Sequence, residues 1–216
     1  RLSLVGSEMC IRDRDKRGEF MAYLSKFLSS LSPYTAGEQP KDKRYVKLNT
    51  NENPYPPSPK VSAALRAFDT ENLKRYPAPD ADALREAIAR AEGVEKDNVF
   101  CGNGSDENLL LALRAFCDET HPLAFADITY SFYPVLCDLL HIPQHVILVE
   151  EDFSLDLNKY HGLNETIVIA NPNAPTGLAL PRSAIEGILQ ANPDNVVIVD
   201  EAYVDFGGES CVPLID

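Results

Sequence analysis

Residues 166–200, TIVIANPNAPTGLALPRSAIEGILQANPDNVVIVD, decide the fold. Thr166 to Ala170 is an apolar, β-branched run of strand length. Asn171 to Gly177 then places two prolines and a glycine in one turn, and Arg182 to Ala191, with Pro181 near its first turn, carries a helical period. Val196 to Val199 is apolar again. Both strand runs are continuous rather than alternating, so both faces of each strand are expected to be covered, as in a parallel sheet joined by crossover helices. Asp200-Glu201-Ala202-Tyr203 closes the stretch and presents a carboxylate and a phenol at the carboxyl end of a buried strand.

The same alternation extends toward the amino end. Strands are predicted at Val99–Cys101, Leu123–Ala126 and Val146–Val149, with helices at Ser105–Cys117 and Ser131–Leu140. This is an α/β chain, a three-layer sandwich around a mainly parallel sheet. Earlier still, Asp82–Ala91 reads as a helix stopped by Gly93, and Pro59–Phe68 as another. Between residues 33 and 60 lie Pro33, Pro40, Pro54, Pro56, Pro57 and Pro59, which forbid a long helix and predict an extended arm that wraps another surface, with one short strand at Val46–Leu48. An amphipathic helix over residues 20–31 precedes it. Residues 1–14, RLSLVGSEMCIRDR, show no helical or strand period and read as non-native sequence. The expected organisation is a leader over 1–19, an arm with lead-in helices over 20–94, and a large domain over 95–216. The abrupt end at VPLID reads as an interrupted chain.

Composition narrows the function classes. A formal charge of -13 opposes nonspecific binding to nucleic acid or anionic lipid, although a helix terminus can still hold a phosphate. Five cysteines, Cys10, Cys101, Cys117, Cys137 and Cys211, form no C-x-x-C pair and point to a reducing, cytoplasmic setting rather than to a disulfide framework or a zinc knot. His121, His141, His145 and His161 lack ligand spacing and are expected at the surface, and no metal site is expected. Neither a Walker loop nor G-x-G-x-x-G is present, which disfavours ATP and NAD.

Ligands of such sheets bind at the carboxyl ends of the strands. Three further loops belong there. Gly102-Asn103-Gly104-Ser105-Asp106-Glu107 joins a strand to a helix; its free amides can hold a phosphate, or Ser105 or Asp106 can simply cap the helix. Tyr130, after the strand Leu123–Ala126, can stack on a flat cofactor, while Phe132 reads as core filler. Asn171 to Gly177 offers asparagine amides at a rigid turn. Asp200 can keep a pyridinium nitrogen protonated and Tyr203 can donate to an oxygen on the ring edge; equally, Asp200 can cap the following turn and Tyr203 can be a wedge.

LSPYTAGEQP (31–40), KLNTNENPYPPSP (47–59), RYPAPDADALREAIA (75–89), GNGSDENLLLALRAF (102–116), ITYSFYPV (128–135), NPNAPTG (171–177) and VDEAYVDF (199–206), taken in this order, resemble the pyridoxal-phosphate-dependent aminotransferases of fold type I and, among these, the histidinol-phosphate branch. The resemblance covers residues 31–216. It implies that the cofactor is pyridoxal 5′-phosphate, that the amino donor and a phosphorylated imidazole compound are small-molecule substrates, and that two copies of the chain share the site. By the same resemblance Gly104, Ser105 and Asp106 form the phosphate-side loop, Tyr130 stacks on the pyridine ring, Asp200 partners the ring nitrogen and Tyr203 the phenolic oxygen. Tyr76 then reaches the phosphate in the neighbouring subunit, and Tyr34 and Asn51 lie near the substrate. Catalytic roles fall to Asp200, Tyr203 and Tyr130. The family commonly reads NPNNPTG; here Ala174 replaces the asparagine before the second proline, so Asn173, a shifted backbone or Tyr203 alone must serve the phenolic oxygen. The Schiff-base lysine and the substrate-binding arginine are expected beyond residue 216, Lys159 is expected on the solvated surface, and these 216 residues alone are expected to be inactive. Alternatives are another class I/II aminotransferase, a phosphothreonine decarboxylase of similar build, or a noncatalytic cofactor-binding or dimerisation protein.

Overall fold

A computed structural model describes residues 25–31, 46–49 and 51–215. Its centre is a four-stranded sheet of β1 (Leu123–Ala126), β2 (Gln144–Ile147), β3 (Thr166–Ala170) and β4 (Val197–Asp200), in the order β2-β1-β3-β4 and parallel throughout. The described helices are α1 (Lys26–Ser30), α2 (Pro59–Ala67), α3 (Asp82–Glu92), α4 (Gly104–Phe116), α5 (Phe132–Leu140) and α6 (Arg182–Ala191).

The period-two alternation of a strand sorts its side chains to two faces. Leu123, Phe125, Val168 and Ala170 meet Leu109 and Leu113 of α4 and Tyr133, Leu136 and Cys137 of α5. Ala124, Ile167 and Ile169 meet Ile185 and Ile188 of α6, together with Tyr160. Both inner strands are therefore buried on both sides, which is why their sequences are apolar without a break. Local signals set the helix ends. Gly93, at φ +75, turns the chain out of α3 and returns its amide to the Ala89 carbonyl (2.8 Å). Ser58 caps α2, with Pro59 in the first turn.

Several expected strands differ. Val99–Cys101 forms no strand: Arg85 takes the Val99 carbonyl through Nε (2.7 Å) and the Lys96 carbonyl through Nη2 (3.0 Å), and among the described residues no strand pairs with the segment. Val46–Leu48 is irregular and not a strand, with Val46 83% and Leu48 88% exposed. β2 begins two residues earlier than expected. Its register is fixed from β1, by Leu123 N donating to Pro143 O and Asp127 N donating to Ile147 O (both 3.0 Å), after which the Asp127 carboxylate accepts the Val149 amide (2.9 Å) and ends the ladder. The arm helix is described only at Lys26–Ser30; residues 1–24, 32–45 and 50, which hold the leader and part of the arm, lie outside the described residues. All four histidines are exposed, and Lys159 pairs at the surface with Glu150 (2.7 Å). Among the described residues no helix is long and apolar enough to cross a membrane.

The strand order positions the site. The chain leaves β1 toward β2 on one side and leaves β3 toward β4 on the other. A crevice therefore opens where β1 and β3 end side by side.

Candidate active site

Two adjoining cavities fill that crevice, an open cleft of about 680 Å³ and a smaller recess of about 70 Å³. Tyr130, Pro172, Ala174 and Tyr203 line both, while Ser105 and Asp200 line only the recess and Asn51 only the cleft.

Asp200 ends β4, and its carbonyl accepts the Asn171 amide (2.9 Å), which ties the ends of β3 and β4 together. Its carboxylate is held on both oxygens. Oδ1 accepts from the Ala202 amide (3.1 Å) and Oδ2 from the hydroxyl of Tyr133 (2.8 Å). The turn-capping role and the place in the recess thus coexist in one side chain. Tyr133 lies on α5 and is fully buried; burial, reinforced by the Asp200 carboxylate, pushes its phenol far above the ordinary tyrosine range, so it stays a donor.

Tyr130 sets its ring edge-on to Tyr133 (centroids 5.7 Å, 88°) and donates its hydroxyl to Asp106 Oδ1 (2.9 Å). Phe132 packs on the core, as expected of filler. The N-terminus of α4 begins at Gly104 in a left-handed conformation (φ +80), and no side chain caps its first turn. Glu107 instead reaches back to the amide (2.5 Å) and side chain (2.9 Å) of Asn103. No side chain caps the first-turn amides; the helix dipole favours an anion there, and Ser105 lies at the recess wall.

The turn after β3 is pinned from inside. Asn171, 1% exposed, donates to the Leu180 carbonyl (3.1 Å) and accepts the Leu180 amide (2.8 Å). Asn173 is buried too: its oxygen accepts from Thr129 (2.8 Å), and its amide donates to Ile128 O (2.9 Å) and Thr176 Oγ1 (3.1 Å). Both amide hydrogens of Asn173 are thereby used within the chain, so it lines the cleft as a pin between the ends of β1 and β3 and not as a free donor. Ala174 contributes a methyl. Behind this turn, a Cβ built on Gly208 would lie 2.9 Å from Pro172 Cδ and 3.2 Å from Val204 Cα. Because one obstacle is backbone and the other a ring at the cleft wall, Gly208→Ala is expected to lower stability by about 1–3 kcal/mol, read from the urea unfolding midpoint of the full-length gene product.

Tyr203 packs beside Phe206, and its hydroxyl oxygen accepts from Nδ2 of Asn51 (3.0 Å). The structure thus brings together Ser105, Asp106, Tyr130, Asn173, Asp200, Tyr203 and Asn51 of the residues expected at the site. It does not bring in Tyr76, which is wholly exposed and outside both cavities, and Tyr34 lies outside the described residues. Sequence reasoning missed Tyr133 and Thr129. The signal for Tyr133 was its spacing, three residues after Tyr130 at the start of a helix.

The family model for aminotransferase class I and II matches residues 43–215. The histidinol-phosphate aminotransferase of Lactococcus lactis subsp. cremoris MG1363 is 53% identical over 189 residues, which cover 88% of this chain and 53% of that protein. Histidinol-phosphate aminotransferase 1 of Methylococcus capsulatus is 52% identical over 194 residues, 90% of this chain and 54% of the relative. The chain spans about half the length of these curated relatives. Among solved structures, an aminotransferase from Mycobacterium tuberculosis superposes with a TM-score of 0.60 at 26% identity, over 72% of this chain and 47% of that one. A histidinol-phosphate aminotransferase from Sinorhizobium meliloti, solved with pyridoxal-5′-phosphate, shares the fold (TM-score 0.66, 24% identity, 72% and 44% covered). With a parallel sheet open at this crevice and a family match running through every element that builds it, the chain belongs to the class I and II aminotransferases.

Proposed function

We propose that this chain is the cofactor-holding part of a pyridoxal-phosphate-dependent transaminase that interconverts histidinol phosphate and 2-oxoglutarate with imidazole acetol phosphate and glutamate, in histidine biosynthesis. The carrying observation is the convergence, at the carboxyl ends of β1, β3 and β4, of an aromatic ring, a doubly held carboxylate and a phenol beside an uncapped helix N-terminus. This donor set fits pyridoxal phosphate: a carboxylate for the ring nitrogen, a phenol for the ring-edge oxygen, a ring for stacking and amides for the phosphate. When bound, the cofactor supplies a carbonyl to take up the amino group and a protonated ring to store the electron pair released at the substrate's α-carbon.

Asp200, held by Tyr133 and the Ala202 amide, keeps a proton on the ring nitrogen. Tyr203 donates its hydroxyl hydrogen toward the ring-edge oxygen and so favours the ionised form there. Tyr130 covers a ring face, while Pro172 and Ala174 keep water from the recess wall. The amides of Ser105 and Asp106 hold the phosphate through the positive end of α4. The exposed apolar side chains of the segment before residue 77, including Tyr55, Leu65, Leu73 and Tyr76, support a homodimer in which Tyr76 serves the partner's site. The free thiols of Cys101, Cys117, Cys137 and Cys211 support a cytoplasmic setting.

The test is a single-turnover half-reaction of the full-length gene product loaded with pyridoxal phosphate, followed by cofactor absorbance. Histidinol phosphate is expected to react with a higher kcat/KM than alanine, aspartate or phosphothreonine. Preference for one of those amines rejects the substrate, and failure to bind pyridoxal phosphate rejects the whole reading.

A further inference from the structure

Tyr203 is approached from a distant part of the chain. The amide of Asn51, 152 positions earlier, donates to its hydroxyl oxygen. A phenol has one hydrogen to give and lone pairs with which to receive. Asn51 occupies a lone pair, which leaves the hydrogen of Tyr203 for an acceptor inside the two cavities that Tyr203 lines. Across the cleft, Ala174 offers a methyl, and Asn173 has given both its amide hydrogens to Ile128 and Thr176.

The segment around Asn51 is built to present it. Its backbone is left-handed (φ +50), a conformation that asparagine tolerates better than most other side chains. Glu52 beside it pairs with Lys47 (2.6 Å), and the side chain of Asn53 accepts the Tyr55 amide (2.9 Å), so hydrogen bonds flank the left-handed residue on its carboxyl side.

We propose that Asn51 is a positioning residue: its amide orients the phenol of Tyr203 so that the hydroxyl hydrogen is delivered into the cleft. This rests on the function proposed above, in which the acceptor is the ring-edge oxygen of pyridoxal phosphate. It gives Asn51 a role toward Tyr203 and the cofactor in place of a direct contact with substrate.

The experiment compares four variants of the full-length gene product, Asn51→Ala, Asn51→Asp, Tyr203→Phe and the double variant Asn51→Ala/Tyr203→Phe. Two readouts are used: the dissociation constant of pyridoxal phosphate and the pH midpoint of the bound cofactor's absorbance change. Asn51→Ala is expected to weaken binding about three- to tenfold, the size of one hydrogen bond, and to raise the midpoint, because an anionic oxygen loses part of its donor. Asn51→Asp is expected to shift both further, since its carboxylate takes the phenol hydrogen for itself. The double variant should match Tyr203→Phe alone, because Asn51 acts through the hydroxyl. The inference is overturned if Asn51→Ala leaves the midpoint unchanged where Tyr203→Phe moves it, or if its effect persists in full in the Phe background, as for a merely structural wall. If the unaltered protein does not bind pyridoxal phosphate, the proposed function fails and the inference falls with it.

Discussion

Replacing Asp200 with alanine is expected to lower kcat/KM for transamination by about 10²- to 10³-fold in the full-length gene product, the scale on which removal of one preorganised charge-stabilising group acts. The reason lies in how the side chain is held. Two donors, the Ala202 amide and the Tyr133 hydroxyl, fix the carboxylate in the recess, so in the proposed reaction it needs no reorganisation as charge develops. Asp200→Asn should fall nearly as far: an amide can accept on only one side, and its NH₂ group would face one of those two donors. The check is the single-turnover rate with histidinol phosphate together with the cofactor absorbance spectrum. A rate within threefold of the unaltered protein would remove Asp200 from the chemistry.

Tyr133 carries the second large effect, this time on stability. Tyr133→Ala is expected to cost about 3–5 kcal/mol, since a fully buried ring between β1 and α5 is lost and the close-packed core only partly relaxes. Tyr133→Phe keeps the ring and removes only the donor to Asp200, for about 1–3 kcal/mol. Urea unfolding of both variants separates packing from the hydrogen bond. The alkaline side offers an independent signature. Because the folded state raises the phenol's affinity for its proton, the stability linked to Tyr133 is intact below the ordinary tyrosine value of 10.0 and is lost as pH rises past it. Tyr133→Phe should therefore lose less stability above that pH than the unaltered protein does. Equal alkaline slopes would contradict the buried-donor assignment.

The parts of the fold that the sequence made legible are those whose burial is symmetrical. Leu123–Ala126 and Thr166–Ala170 are inner strands, apolar along their whole length, and their limits could be read directly. At the sheet edge the pattern weakens. β2 has three exposed residues in four, so hydrophobicity points to Val146–Val149 while hydrogen bonds from β1 select Gln144–Ile147. Val99–Cys101 differs for a related reason: strand formation needs a partner, and among the described residues no strand lies beside this segment, whose Val99 carbonyl is taken by a guanidinium from α3. At the site, Asp200, Tyr203 and Tyr130 were visible because they follow apolar runs at strand ends. Partners were not. The engagement of Asn173 by Thr129, and of Tyr203 by Asn51, spans 44 and 152 residues, and Tyr133 is a donor only because α5 turns its hydroxyl toward β4.

Three side chains that line the recess are braced from elsewhere: Asp200 from α5, Tyr203 from the segment before α2, Tyr130 from the first turn of α4. The heritable unit of this site is accordingly a couple and not a residue. A change at Tyr133, Asn51 or Asp106 alters how Asp200, Tyr203 and Tyr130 are held while their identities stay the same, and a graft that transplants only those three would carry the letters of the site without its grammar.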